Sequence, residues 1–260
     1  MKRFRYWALG LLKFRQSQFT EAKQLMEKGL TKIAIDPDEK TEIRLLVGLA
    51  RVGFAQGKLV EGIEGVKKAA KLADEGKIVR EQIEVNTLLN TLYLTIGQNE
   101  DALKAALYAV KISDESGNKA FRSLAVNALG RSYHFQGDYP QAIKFFEESI
   151  KLAEETNQAR AAATGYHTLA TVYFDLSDFV RAEKNTRKAI KSLEKDGGTL
   201  EKSLANLLLA QIYLQQNKFA EIKPQATELL ELAKKLKNGL LRSAISTNIR
   251  CYCPQRKELS

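Results

Sequence analysis

The chain has 260 residues, of which 44% are hydrophobic and 28% charged. That balance excludes an intrinsically disordered chain, and two cysteines exclude a disulfide-built scaffold. The formal net charge is +10, with basic ends and a slightly acidic stretch over 81–160. This fits either attraction for an acidic partner or plain solvation of outer helix faces.

Only four prolines interrupt the chain, so long helices are expected. The opening segment, MKRFRYWALGLLKF, has basic residues ahead of a short apolar run, like a secretory leader. Lys13 and Arg15 break that run, and no small-x-small cleavage pattern follows, so the segment is expected to be helix. No run approaches the ~18 apolar residues of a membrane span. A cytoplasmic protein follows as the expectation. Polar periodicity and turn residues predict helices at 3–16, 19–33, 40–56, 59–74, 80–96, 99–114, 119–136, 139–155, 159–176, 179–195, 200–216 and 219–237. Within each pair, turns such as Gln56-Gly57-Lys58, Ile96-Gly97-Gln98, Gln136-Gly137-Asp138 and Leu176-Ser177-Asp178 close the first helix. After Gly239 the pattern weakens. A capping helix is expected over 239–250, followed by a tail over 251–260 holding Cys251 and Cys253 as unpaired thiols. A chain stopping there also reads as a fragment of a longer array.

Small residues recur at a fixed interval of forty. Ala22, Gly62, Ala102, Ala142 and Ala182 form one series, which Ile222 ends. Gly10, Ala50, Asn90, Gly130, Ala170 and Ala210 form a second, and Gly29, Ala69, Ala109, Ser149, Ala189 and Leu229 a third. Such positions mark where antiparallel helices pack closest, because a larger side chain there overpacks the contact. Leu9, Leu49, Leu89, Leu129, Leu169 and Leu209, with Tyr93, Tyr133, Tyr173 and Tyr213, are the expected fillers between them.

In the stretch Val126 to Ile150, the residues Leu129-Gly130, Tyr133, Ala142 and Phe146 fall at the offsets of a helix-turn-helix repeat. This pattern resembles the tetratricopeptide family. The forty-residue period is similar to its long-helix subclass, found in scaffolds of the Pins type and in the sensor halves of bacterial regulators. The departures are Lys13 and Gly53 in place of Tyr, Thr186 in place of Phe, and Ile222 and Leu229 in place of small residues. The resemblance implies an all-α, right-handed α-solenoid of six tandem helix-turn-helix units at about 3–38, 39–78, 79–118, 119–158, 159–198 and 199–238.

Catalytic signatures are missing. The two histidines, His134 and His167, belong to no Ser-His-Asp set, and neither a phosphate-binding glycine loop nor HExxH occurs. No cofactor or metal is expected. By the resemblance, the first helix of each pair lines a concave face. The partner-contacting positions then include Arg44, Arg51, Phe54, Thr91, Asn127, Arg131, His134, His167, Thr171 and Gln211. Asn127 and Arg131 stand one helical turn apart and share a face. An Asn amide can satisfy a peptide backbone, and an Arg fork can grip a carboxylate. The expected function is therefore a non-catalytic scaffold holding a peptide segment of a partner. The alternative is the sensory module of a larger regulator. RNA binding fits less well, because RNA-reading repeats place base-contacting residues regularly and these positions vary from Thr to Leu to His. The sequence leaves the oligomeric state open.

Overall fold

In the computed structural model, residues 2–222 are described, apart from 17, 195–198 and 219. They form eleven helices: α1 (Lys2–Arg15), α2 (Phe19–Ile33), α3 (Glu39–Ala55), α4 (Leu59–Glu75), α5 (Val79–Thr95), α6 (Asn99–Ser116), α7 (Lys119–Phe135), α8 (Tyr139–Glu155), α9 (Ala159–Asp175), α10 (Phe179–Leu193) and α11 (Thr199–Gln215). No strand occurs among the described residues. The expected helices agree with these to within a residue or two. The greater part of helix 219–237, the cap at 239–250, the tail with its two cysteines, and Leu229 lie outside the described residues.

Consecutive helices pack on one another along the chain. The odd-numbered helices also pack two apart: α1 on α3, α3 on α5, α5 on α7, α7 on α9 and α9 on α11. They therefore form the inner wall of an α-solenoid. Its turns repeat as regularly as its helices. Gly57, Gly97, Gly137, Ser177 and Asn217, forty apart, all take a left-handed backbone after an inner helix. Asp138 and Asp178 then accept the backbone N–H of Gln141 and Arg181 and start the outer helix. Lys58 and Gln98 stand at the same place without a side-chain cap. No described helix is long and apolar enough to cross a membrane.

The small-residue series lie where the helices meet. Ala22, Ala102, Ala142 and Ala182 are fully buried, as are Ala69, Ala109 and Ala189. What fills the space beside them is a large side chain from the neighbouring helix. A Cβ on Gly130 would stand 2.7 Å from the Phe146 ring and 3.3 Å from the Ala142 carbonyl oxygen. Met26 is wedged the same way between two helices, with Gly10 on α1 and Gly48 on α3 leaving it room. Around these contacts the core runs on through the stack, from Phe19, Met26 and Leu45 to Ile43, Val66 and Leu92, and on to Phe146, Leu169 and Ile212.

Four expected fillers are not buried: Leu9, Leu49, Tyr93 and Tyr133. Leu9 is 37% exposed, because α1 is the outermost helix of the described stack and one of its faces has no neighbour. Tyr133 is only half-buried, stacked flat on Phe145 at 5.5 Å, and Phe146 is the fully enclosed ring of that unit.

Two glycine substitutions test this packing. Gly130→Ala should destabilise the protein by about 1–3 kcal/mol, through overpacking against Phe146. Gly65→Ala, in the middle of α4 with nothing within 4 Å of the added methyl, should stabilise it by roughly 0.5–1 kcal/mol. Urea unfolding followed by circular dichroism measures both, and equal effects would contradict the packing described.

Candidate binding groove

The inner helices present one face each to the concave side, and residues three or four apart share that face. Thr87, Leu88 and Thr91 on α5, Leu124, Asn127 and Arg131 on α7, and Ala161, Thr164, His167 and Thr168 on α9 line one groove. Arg51 on α3 and the buried Ser123 and Ser149 also line it. The groove encloses about 390 Å³.

Polar side chains tie the inner helices together along it. Arg131 reaches back one repeat, where its Nη1 donates to Thr91 Oγ1 at 2.7 Å and its Nη2 to the Thr87 carbonyl at 3.3 Å. Asn127 reaches forward, its Nδ2 donating to Thr168 Oγ1 at 3.1 Å. Asn90 donates to Ser132 Oγ at 2.7 Å and to the Ala102 carbonyl at 3.0 Å, linking α5 to α7 and α6. His134 Nε2 meets Asp175 Oδ2 at 2.7 Å, between α7 and α9.

Some polar capacity stays open. Arg131 Nε and His167 Nδ1 are enclosed with no hydrogen-bond partner among the described residues. Asn127 Oδ1 accepts no hydrogen bond among the described residues. Arg51 makes neither a hydrogen bond nor an ion pair among the described residues. Burial pushes the Arg51 guanidinium below its ordinary value, while Glu84 on α5 opposes this, Arg15 on α1 adds to it, and Glu201 on α11 opposes it. Charges from helices far apart in sequence thus reach one side chain. Burial alone pushes Arg131 down to about 10. It also lowers the His167 imidazole below its usual range.

The structure brings together Arg51, Thr91, Asn127, Arg131 and His167 of the expected contact residues. The other five stand outside this groove. Arg44 is bound to the buried Glu81, with Nη2 to Oε1 at 2.8 Å, and lies over the Trp7 ring at 5.2 Å. Phe54 is exposed near the end of α3, and His134 is held by Asp175. Thr171 bonds its own helix at the His167 carbonyl, and Gln211 sits on α11. Leu88, Leu124, Ala161, Thr164 and Thr168 were not among the expected contacts. The signal for Thr168 was available: it lies forty-one residues after Asn127, one repeat along.

A helical-repeat solenoid with a polar concave groove is the class these features define. The family model described as Tetratricopeptide repeat matches residues 125–160, the unit with the clearest sequence pattern. That unit is similar to a tetratricopeptide repeat, and the described helices on either side of it repeat the same helix-turn-helix fold. No curated protein matches the chain in sequence. Among solved structures, the fold is similar to the apo form of RapI at a TM-score of 0.64 and 15% identity, covering 96% of this chain and 98% of that one. It is similar to NprR in complex with its cognate peptide NprX at 0.72 and 13% identity, covering 98% and 74%. A Rap protein complexed with competence and sporulation factor matches at 0.69 and 16%, covering 96% and 73%.

The state of Arg131 has a consequence for stability. Its folded value near 10 lies below the ordinary 12.5, so between those pH values the unfolded chain holds more protons and stability rises with pH. At neutral pH the buried charge is a standing cost of about 3 kcal/mol, less what its hydrogen bonds return. Arg131→Met keeps the length of the side chain and removes the charge. It should raise the urea midpoint at pH 7, and a clear fall would contradict the electrostatic reading.

Proposed function

We propose that the chain is a non-catalytic interaction scaffold that takes an extended peptide segment of a partner protein into the groove between α5, α7 and α9. The observation that carries this reading is the open polar capacity on one continuous concave surface. Asn127 Oδ1 and His167 Nδ1 stand beside threonine hydroxyls and the apolar Leu88, Leu124 and Ala161. Peptide backbone offers alternating donors and acceptors, and its side chains need apolar rests, so this lining suits it. The fold shared with NprR and the Rap protein, both solved with a bound peptide or factor, supports the same reading.

A second reading, a sensory module, draws on the polar links between neighbouring inner helices. Arg131 joins α7 to α5, and Asn127 joins α7 to α9. A peptide bonding either residue would compete with these links and alter how adjacent repeats sit.

Thr164 offers a way to test the groove without removing a link. It is exposed, lines the groove and bonds only its own helix, at the Arg160 carbonyl. Peptides selected on the protein from a random-sequence library should bind Thr164→Trp at least about tenfold more weakly, a loss of 1.4 kcal/mol or more. Lys104→Glu on α6 should bind them normally. Full binding by the Thr164→Trp protein would remove the groove assignment.

A further inference from the structure

The second helix pair lacks two side chains that the fourth stacks together. In the fourth, the rings of Tyr133 on α7 and Phe145 on α8 lie nearly parallel with centroids 5.5 Å apart, packed against Leu103 and Leu129. Eighty residues earlier, the same two places hold Gly53 on α3 and Gly65 on α4, and Leu49 stands where Leu129 does. The first, third and fifth pairs keep side chains at both places: Lys13 and Leu25, Tyr93 and Ala105, Tyr173 and Asn185.

Where the two rings are missing there is a cavity of about 210 Å³. Gly53 and Gly65 line it, and Leu46, Leu49 and Val52 of α3 give it apolar walls. A Cβ on Gly65 would meet nothing within 4 Å, so the space is open on that side. The cavity lies between α2, α3 and α4 and shares no lining residue with the concave groove. Charged side chains border it. Lys23 and Glu27 on α2 pair with each other at 3.6 Å, whereas Glu61 on α4 is exposed and forms no ion pair among the described residues. An apolar cavity of about 150 Å³ already holds benzene, so this one has room for a single substituted ring.

We propose that this cavity is a second binding site, separate from the concave groove, and that it takes one phenol ring. The chain itself supplies such a ring, from Tyr133, at the matching place two pairs along. Apolar walls receive the body of the ring, and the Glu61 carboxylate at the rim can accept a hydrogen bond from its hydroxyl. A tyrosine side chain of a partner and a free phenol share this chemistry.

The test uses the full chain and three probes: p-cresol, acetyl-Ala-Tyr-Ala-amide and 4-methylcyclohexanol. Binding is read from the leucine and valine methyl resonances of isotope-labelled protein, with Leu49 assigned by its loss in Leu49→Ile. The expected result is a saturable shift of the Leu49 signal with p-cresol. The puckered ring of 4-methylcyclohexanol is thicker than the space two flat rings leave, and it should bind at least about fivefold more weakly. Gly65→Phe and Gly53→Tyr each restore one of the missing rings, and each should weaken p-cresol about tenfold or more while keeping the native circular dichroism. Thr164→Trp, in the concave groove, should leave p-cresol binding unchanged. A peptide that shifts Leu49 as p-cresol does assigns the site to a tyrosine side chain, and a peptide that does not assigns it to a free phenol. No shift with p-cresol, equal binding of 4-methylcyclohexanol, or undiminished binding by the two filled variants overturns the site.

Discussion

A phenyl ring occupies the place where a Cβ would be, Phe146 against Gly130, and this contact sets how closely an inner and an outer helix approach. Met26 does the same between Gly10 and Gly48, and Ile150 beside Gly165. Each is a knob entering a hole made by a missing side chain, and interiors packed this tightly tolerate little change in volume. Because the place of Gly130 is taken at intervals of forty by Gly10, Ala50, Ala170 and Ala210, with Asn90 the exception, each unit is laid on the last with nearly the same offset. The inner helices consequently face one way, and a concave surface arises without any residue being dedicated to making it.

Side chains on that surface serve both the fold and the groove. Asn127 and Arg131 are inter-repeat links and, at the same time, the groups with unused hydrogen-bonding capacity at its floor. A protein that only needed to hold its repeats together could do so with apolar side chains of similar volume, which are often as stabilising as a buried ion. Here two arginines are kept partly desolvated without a carboxylate. Functional sites are where such unfavourable arrangements concentrate.

The solenoid was legible in the sequence because its cause is periodic. Small residues at 22, 62, 102, 142 and 182, and turn residues at 57, 97, 137 and 177, mark the same points of each unit. The groove was legible by halves. One helical turn separates Asn127 from Arg131, so their common face could be read directly, and the forty-residue period carried Thr91 and His167 to the same side. What could not be read is which concave side chains already have partners. Arg44 occupies a concave position, but Glu81 comes from the next repeat at a spacing of thirty-seven, outside the register, and takes it up. His134 is also taken, by Asp175 one repeat along, a pairing whose spacing matches that of Asn127 with Thr168. Tyr133 fits the family offset yet lies half-exposed on Phe145, since enclosure depends on the volume of the neighbouring Phe146 rather than on position.

Thiol footprinting addresses the concave surface most directly. In a chain with Cys251 and Cys253 replaced by serine, Thr168→Cys places a thiol in the groove, and Lys111→Cys places one on the exposed side of α6. A peptide selected on the protein should slow alkylation at position 168 severalfold and leave position 111 unchanged. Equal rates at position 168 with and without a saturating peptide would show that the ligand sits elsewhere, and the assignment of the concave groove would fail.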